Sequence, residues 1–355
     1  MAVSDVRSSR PVPAGRSRAG AALAVLVIAL AAACSGARAP RLIVNVRSYS
    51  VSKLPFIIAM DQGLFDKHGV NVELRVLDPD DPSVAMVKGD LWIRLWRRFI
   101  SRGPGPEIEV DGDAPSIVEL TQSVEVPPTV SIAGTDCVLR AHVIGRKGLA
   151  RLEELKGKRI GITRLRATSG FHALALARRM GWDPRLDISL LEGGEDLAPL
   201  ASGRVDAMIA YEQTYAEAMR DGWPVLADLR DWNEPIAGNS VHVAPEWLEN
   251  PERREAARRF LMGVTEAIAV MHRQPQVALD VMARWYGLDD PAIARAYVSR
   301  GQWIDRAPYP CVDGIRRTME LYDSHEMRRH RPEDFYDRRL MDEIVASGFV
   351  DRLYR

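Results

Sequence analysis

The sequence predicts an α/β protein, and three observations carry this prediction. From Arg41 onward, short apolar or alternating runs of strand type are separated by patterns of helical period. That alternation is typical of domains built on largely parallel sheets. After about Ala244 only helical patterns remain, so we expect an α-helical C-terminal segment. A length of 355 residues is enough for about two domains.

The elements follow one another in a regular order. The strand patterns lie at 42–46, 70–77, 107–110, 129–133, 138–144, 159–163, 188–191, 207–210 and 225–227. The helical patterns lie at 55–67, 169–180, 195–202, 212–220, 250–286, 291–299, 312–325 and 332–345. Proline opens the first of these helices, and a glycine follows the end of several others, which are the usual start and stop signals.

The composition indicates a globular protein without a strong overall charge. The 48 Lys and Arg residues oppose 48 Asp and Glu residues. Nucleic acid is therefore not an expected partner, because no long-range field would attract it. Three cysteines are too few for a disulfide scaffold or a structural zinc site. The sequence predicts no metal and no cofactor.

The N-terminus has the layout of an export signal. Residues 1–18 carry four arginines against one acid, and an uncharged run follows at 19–33. This pattern predicts a signal peptide at 1–33 and an extracytoplasmic protein. Small residues precede Cys34, as they do in a bacterial lipobox, so a lipid anchor at Cys34 is predicted. Ordinary cleavage with release of a soluble protein is the alternative. No later segment reaches spanning length without charges.

Three blocks, taken in order, carry a family resemblance. They are LPFIIAMDQGLF (54–65) with HGVNVEL (68–74), LEELKGKRIGI (152–162) with ATSG (167–170), and ASGRVDAMIAYE (201–212) with GNSVHVA (238–244). The blocks resemble the substrate-binding proteins of ATP-driven importers for sulfonates, nitrate, taurine and thiamine precursors. The resemblance covers about residues 41–273, and it is strongest in the second block.

The resemblance implies a type II periplasmic binding protein, in which two α/β lobes enclose a ligand cleft and are joined by hinge crossovers. On that template, lobe 1 comprises 41–137 and 244–355, and lobe 2 comprises 138–243. The hinges are expected near 137–139 and 241–244. The C-terminal residues are expected to form the helical segment of lobe 1.

The candidate ligand-binding residues lie where strands end and helices begin. Backbone N–H groups at helix N-termini can hold a solute without any reaction. Open α/β sheets also bind ligands outside the carboxyl ends of their strands. The predicted contacts are Ser48, Tyr49, Asp111, Ser116, Arg166, Thr168, Ser169, Tyr211, Glu212 and Ser240. For Thr168, Ser169 and the 111–116 loop, with Asp113 as N-cap, the alternative is helix capping alone.

The charges on these loops suggest the class of solute. Asp111, Asp113 and Glu212 are acids on cleft-side loops, and unpaired carboxylates disfavour a simple oxyanion. We therefore expect a neutral or nitrogen-rich solute, such as a pyrimidine, rather than a sulfonate or nitrate. Glu212 would accept N–H bonds, and a tyrosine would stack on the ring. If the Asp residues cap helices and Arg164 and Arg166 face inward, the preference reverses.

The predicted function is solute capture for an ABC importer, with a permease and its ATPase as partners and a monomeric binding protein. No catalysis is predicted. One alternative is an enzyme on the same fold, resembling pyrimidine synthases or desulfinases, and another is a sensor lipoprotein. The enzyme needs a nucleophile or an active histidine, and the candidates are poor, because His172 has no evident partner. Cys137 and Cys311 pair only if folding brings them together, which the sequence leaves open.

Overall fold

Ten strands form two five-stranded sheets within the part of the chain described by the computed structural model. The described residues are 40–47, 50–76, 107–122, 127–194, 196–288, 290–291, 294–295, 298 and 304–355. The first sheet contains β1 (Arg41–Val46), β2 (Asn71–Val76), β3 (Ile108–Gly112), β4 (Val130–Gly134) and β10 (Asn239–Val243), in the order β2-β1-β3-β10-β4. The second contains β5 (His142–Gly145), β6 (Arg159–Ile162), β7 (Ser189–Glu192), β8 (Ala207–Ala210) and β9 (Val225–Asp228), in the order β7-β6-β8-β5-β9.

The described helices cover the connections and the C-terminal third. They are α1 (Leu54–Asp61), α2 (Leu64–Lys67), α3 (Asp113–Gln122), α4 (Thr168–Arg179), α5 (Ala198–Ala201), α6 (Glu212–Arg220), α7 (Pro245–Glu249), α8 (Pro251–Arg273), α9 (Pro275–Tyr286), α10 (Val312–Leu321), α11 (Arg339–Ala346) and α12 (Phe349–Leu353). Short 3₁₀ turns lie at Val51–Lys53, Leu152–Leu155, Leu229–Trp232, Met327–Arg329 and Pro332–Asp334. None of these helices is long and apolar enough to cross a membrane.

Each sheet contains three strands that pair in parallel and one strand, joined to a crossover, that runs antiparallel to both of its neighbours. Strand β1 pairs in parallel with β2 and β3, whereas β10 runs antiparallel to β3 and β4. Strand β6 pairs in parallel with β7 and β8, whereas β5 runs antiparallel to β8 and β9. The chain thus leaves the first sheet after β4 and returns to it at β10. The predicted α/β class with two crossovers is confirmed.

The two crossovers lie side by side and are hydrogen-bonded to each other. The amide of Leu139 donates to the carbonyl of Glu234 at 3.0 Å, and the amide of Ile236 donates to the carbonyl of Cys137 at 3.1 Å. The second crossover covers 229–238, so the expectation of a hinge at 241–244 is wrong. Those residues include the end of β10, whose backbone groups are used in pairing with β3 and β4. The division of the chain into lobes at 138 and 243 stays a prediction.

Two predicted helices are each broken into two, for local reasons. The first is interrupted at Gly63, whose φ of 64° is left-handed and separates α1 from α2. The long pattern at 250–286 is interrupted at Gln274, and a proline then begins α9. The start of α8 is capped by Asn250, whose side-chain oxygen accepts from the amides of Glu252 and Arg253.

Each sheet is covered by its own apolar core. In the first core, Phe260 of α8 stacks on Phe65 with ring centroids 5.0 Å apart. In the second core, the sheet packs against α4, and Ile117 of α3 and Ile315 of α10 are buried in the same cluster. Helix α10 therefore packs on the second core, although its residues follow the last strand of the first sheet.

A disulfide joins the first crossover to the start of α10. It links Cys137 to Cys311, whose Cα atoms lie 5.1 Å apart. The sequence left this pairing open, because the cysteines are 174 residues apart and only the packing of the C-terminal segment beside the crossover brings them together.

Candidate functional site

The candidate site lies where the first turns of α3, α4 and α6 follow the carboxyl ends of their strands. Helix α3 begins directly after β3 in the first sheet, whereas α4 and α6 follow β6 and β8 in the second sheet. Strands β6 and β8 are parallel neighbours, so α4 and α6 begin at the same edge of that sheet. The site is therefore built from both sheets, as the sequence predicts for a cleft.

Thr168 of α4 and Ser116 of α3 meet at Gly112. A Cβ atom on Gly112 would lie 2.9 Å from Thr168 Oγ1 and 3.1 Å from the ring of Pro115. Ser116 Oγ donates to the carbonyl of Gly112 at 3.0 Å. Because Gly112 has no side chain, the hydroxyl of Thr168 comes close to the backbone of the first sheet.

The first turn of α4 offers backbone donors. Among the described residues, nothing accepts from the amides of Thr168, Ser169 and Gly170. Such amides, together with the helix dipole, favour an acceptor or an anion at this end of α4.

The first two amides of α3 are not free, contrary to the sequence-based expectation. The amide of Asp113 donates to the carbonyl of Gly238 at 2.7 Å, and the amide of Ala114 donates to the carbonyl of Ala237 at 2.8 Å. The second crossover therefore uses these two donors. Sequence reasoning missed this because the partners lie more than 120 residues away in the chain.

Ser169 holds the loop between β6 and α4. Its hydroxyl accepts from the amide of Thr163 at 3.0 Å and lies 2.6 Å from Thr163 Oγ1. The side chain is almost fully buried. The hydroxyl thus joins α4 to the end of β6 and does not cap the helix, whose N-cap makes no side-chain hydrogen bond. Arg166, in the same loop, is exposed.

Tyr211 reaches α4 through a buried histidine. The hydroxyl of Tyr211 lies 3.2 Å from His172 Nδ1, and the same nitrogen lies 2.7 Å from the carbonyl oxygen of Thr168. The two rings meet edge to face, with centroids 5.5 Å apart. Thr168, Ser116 and Tyr211 are thus brought together, Ser116 through Gly112 and Tyr211 through His172.

The acids of the β3–α3 loop are engaged within the first sheet. One carboxylate oxygen of Asp111 accepts from the amide of Gly112 at 2.7 Å, and the other lies 3.7 Å from Arg47 Nε. Asp113 is almost fully buried, and it accepts from Ser240 Oγ at 3.1 Å. Burial raises the pKa of Asp113 to about 7. The hydroxyl of Ser240, another predicted contact, is directed at this carboxyl.

A buried lysine and a buried histidine lie beside these acids. Lys53 Nζ donates to Asn239 Oδ1, and burial lowers the pKa of Lys53 to about 8 while Asp111 and Asp136 raise it. His242 Nε2 lies 3.7 Å from Asp113 Oδ1, and burial lowers the pKa of His242 to about 3. The histidine is therefore neutral at physiological pH.

Some predicted positions lie outside the described residues. These are Ser48, Tyr49 and the anchor position Cys34, with the whole signal segment. Glu212 is described as the first residue of α6, but its side chain is not.

The chain is similar to a protein family in sequence and to solved binding proteins in structure. A family model described as NMT1/THI5 like matches residues 140–278. The nitrate-binding protein NrtA from Synechocystis is 11% identical with a TM-score of 0.62, and the match covers 86% of this chain and 88% of that chain. The alkanesulfonate-binding protein SsuA from Xanthomonas axonopodis pv. citri, bound to MOPS, is 15% identical with a TM-score of 0.59, over 81% and 93%.

The chain has the periplasmic binding protein fold. The resemblance predicted from the sequence blocks is thereby confirmed at the level of fold. The desulfurization enzyme DSZB shares this fold, with 15% identity and a TM-score of 0.56 over 86% of this chain and 99% of that chain. The sequence matches no curated protein.

Within this periplasmic binding protein fold, His172 is the main site residue that sequence reasoning left without a role. It lies four residues after Thr168 on the same helix, so both side chains share one face of α4. That spacing was a usable signal. Lys53 gave no comparable signal, because its partners Asn239 and Val110 come from distant strands.

Two open surface depressions lie away from this site. They have volumes of about 470 and 400 Å³, and both border Arg178 near the end of α4. The first is walled by residues of α10 and the turn after it, and the second by 232–235 of the second crossover. None of the predicted contact residues lines either depression.

Proposed function

We propose that the protein is the extracytoplasmic solute-binding component of an ABC importer and that it captures a small polar organic solute between its lobes. The observation that carries this proposal is the meeting of Thr168, Ser116 and Tyr211 at the helix N-termini of both sheets. The periplasmic binding protein fold supports it, because NrtA and SsuA, which share that fold, are binding proteins.

In this proposal, the solute is captured because it contacts groups of both sheets at once. A solute held by the free amides of α4 and the hydroxyl of Thr168 would also contact the backbone near Gly112 in the other sheet. Such a solute contacts both lobes only when they are closed, so its binding selects the closed state. No bond is made or broken, and the solute is released unchanged to the permease.

The recognised group is a hydrogen-bond acceptor facing α4. Asp111 and Asp113 have partners within the first sheet, so they no longer argue against an anion. Both a nitrogen-rich heterocycle and a sulfonate carry suitable acceptors. The pyrimidine-like solute remains in the proposal because Glu212 at the start of α6 would accept its N–H groups.

Two measurements test the proposal. Native mass spectrometry of protein purified from its source should show a retained small molecule. Calorimetric titration with a hydroxymethylpyrimidine and with an alkanesulfonate then separates the two classes of solute. Tight binding of the sulfonate alone would refute the pyrimidine-like solute, and binding of neither, with no retained molecule, would refute capture at this site.

Thr168→Val tests the role of the cleft hydroxyl. The substitution keeps the shape of the side chain and removes one hydrogen bond, so we expect the affinity for the bound solute to fall about tenfold. Thr265→Val is the matched control, since Thr265 Oγ1 donates within α8 to Leu261 and lies in the first core region. Equal affinities for the two variants would contradict a contact at Thr168.

The non-enzymatic role is part of the proposal, because the enzyme DSZB has the same fold. Cys137 and Cys311 are joined to each other, so neither is available as a thiol nucleophile. Burial lowers the pKa of His172 to about 4, and its ring atoms have backbone and tyrosine partners. Incubation of the purified protein with its solute should return the solute unchanged. Accumulation of a product would favour the enzyme.

Export, anchoring and partners complete the proposal. The basic and apolar pattern at 1–33 supports a signal peptide, and Cys34 supports a diacylglycerol anchor. Wild-type protein should fractionate with membranes, and Cys34→Ser should be released. A monomer in solution and neighbouring genes for a permease and an ATPase are expected. Their absence would favour a sensor lipoprotein.

A further inference from the structure

The side chain of His172 contacts three separate segments of the chain beside the candidate site. Its side chain is 2% exposed. His172 Nδ1 lies 2.7 Å from the Thr168 carbonyl oxygen, and His172 Nε2 lies 3.3 Å from the backbone nitrogen of Arg140. Tyr211 Oη lies 3.2 Å from Nδ1. The ring therefore touches the start of α4, the start of α6 and the first crossover.

The partners fix the protonation of the ring. The backbone N–H of Arg140 is a donor only, so Nε2 must accept. The carbonyl oxygen of Thr168 is an acceptor only, so Nδ1 must carry the proton and donate. The ring is thus the neutral Nδ1–H tautomer. Burial, the largest effect on the pKa of His172, lowers it to about 4 and keeps the ring neutral.

Arg140, the partner of His172 in the first crossover, is held by further hydrogen bonds. Arg140 Nε donates to Asp136 Oδ1 at 2.6 Å. The carbonyl of Asp136 accepts from the amide of Gly238 in the second crossover at 3.1 Å. A continuous set of hydrogen bonds therefore runs from the two crossovers through Arg140 and His172 to Thr168 and Tyr211.

We propose that His172 is a positioning residue, which holds the first turn of α4 and Tyr211 in register with the first crossover. The proposal rests on the proposed function, because it concerns the same site. Its content is specific: the ring couples the position of the hinge to the position of the solute-binding groups. A lone packing role would need none of the three polar contacts.

The first test needs no ligand. The ¹⁵N shifts of His172 at pH 7 should show a protonated Nδ1 and a bare Nε2. A protonated Nε2, or a charged ring, would overturn the proposal, because Nε2 then has no lone pair for the amide of Arg140.

The second test uses substitutions to separate the contact made by Nδ1 from the contact made by Nε2. An Asn side chain places an N–H donor near the position of Nδ1, whereas a Gln side chain reaches further, toward the position of Nε2. In hydrogen exchange, His172→Asn should keep the protection of the Phe171 amide, which donates to the Ala167 carbonyl, and speed exchange of the Arg140 amide at least tenfold. His172→Gln should show the reverse pattern, and His172→Phe should lose both.

Leu176→Ala is the structural control, because Leu176 is fully buried on the same helix, four residues further on. This variant should speed exchange evenly over the second core. If all three His172 variants behave like Leu176→Ala, the positioning role is wrong. A protein that passes this test but binds no solute would contradict the proposed function alone.

Discussion

Single residues set the ionisation at the edge of the site. Asp113 is buried against Ser240 and His242, and its pKa is raised to about 7, mainly by burial. The pKa of His242 is lowered to about 3, also mainly by burial. Near neutral pH, Asp113 therefore gains or loses its proton, whereas His242 stays neutral.

The pH dependence of stability follows from Asp113. Its pKa in the folded state is above the ordinary value of 3.8, so folding favours the protonated acid. The stability that it contributes is present at low pH and is lost as the pH rises from about 4 through about 7. Asp113→Asn removes this titration. The two histidines His172 and His242, whose pKa values are lowered, make stability rise with pH in much of the same window. Urea unfolding of the variant should therefore show a steeper rise of stability with pH in that window than the wild type.

The two buried histidines do not obscure this comparison. The folded-state pKa values of His172 and His242 are lowered, so their contribution has the opposite sign and is lost as the pH falls below about 6.5. Both histidines are present in the wild type and in the variant. Identical slopes for the two proteins between pH 4 and 7 would contradict a raised pKa at Asp113.

At the scale of elements, α10 is the connection between the C-terminal segment and the two crossovers. Arg317 of α10 forms an ion pair with Glu234 at 3.2 Å. The hydroxyl of Tyr322, just after the helix, donates to the carbonyl of Leu165 at 2.9 Å. Helix α10 thus touches the second crossover and the loop that precedes α4.

Gly314→Ala tests the packing of α10. A Cβ atom at Gly314 would overlap the backbone of Ile236 and Ala237 in the second crossover. The backbone cannot move aside easily, so we expect a loss of about 2–3 kcal/mol in the free energy of unfolding. Arg316→Ala, an exposed change on the same helix, should cost less than about 0.5 kcal/mol. Similar values for the two variants would mean that α10 does not pack on the crossover.

At the scale of the whole molecule, the disulfide joins the C-terminal segment to the first crossover. Cys137 lies in the first crossover, and Cys311 immediately precedes α10. The link joins positions 174 residues apart. Cross-links of this length restrict the unfolded chain strongly in the chain-entropy account.

The disulfide should contribute measurably to stability. In Cys137→Ser/Cys311→Ser, we expect the free energy of unfolding to fall by about 2–5 kcal/mol. Reduction of the wild type should reproduce this loss and should leave the double variant unchanged. An unchanged urea midpoint in the double variant would show that the link does not restrict the unfolded chain.

Much of the fold was predictable because strands and helices follow local patterns. The runs at 42–46, 159–163 and 207–210 became β1, β6 and β8 with shifts of at most one residue at either end. The breaks at Gly63 and Gln274 were missed, because an apolar periodicity continues across a single turn. The second crossover was placed too late, since the local sequence at 239–243 does not reveal that β10 pairs with β3 and β4.

For the candidate site, the sequence by itself determined which loops end a strand and begin a helix, and the prediction places the site on them. Thr168, Ser116 and Tyr211 were predicted because strand ends and helix starts are encoded in neighbouring residues. Only the tertiary structure decided what those loops offer. In the folded protein, the first α3 amides donate to the second crossover, and Asp111 and Asp113 have partners within the first sheet. His172 lies between two loops, and Cys137 is joined to Cys311. The physical reason is that a buried polar group must take whichever partner folding brings to it, and these partners come from distant parts of the chain.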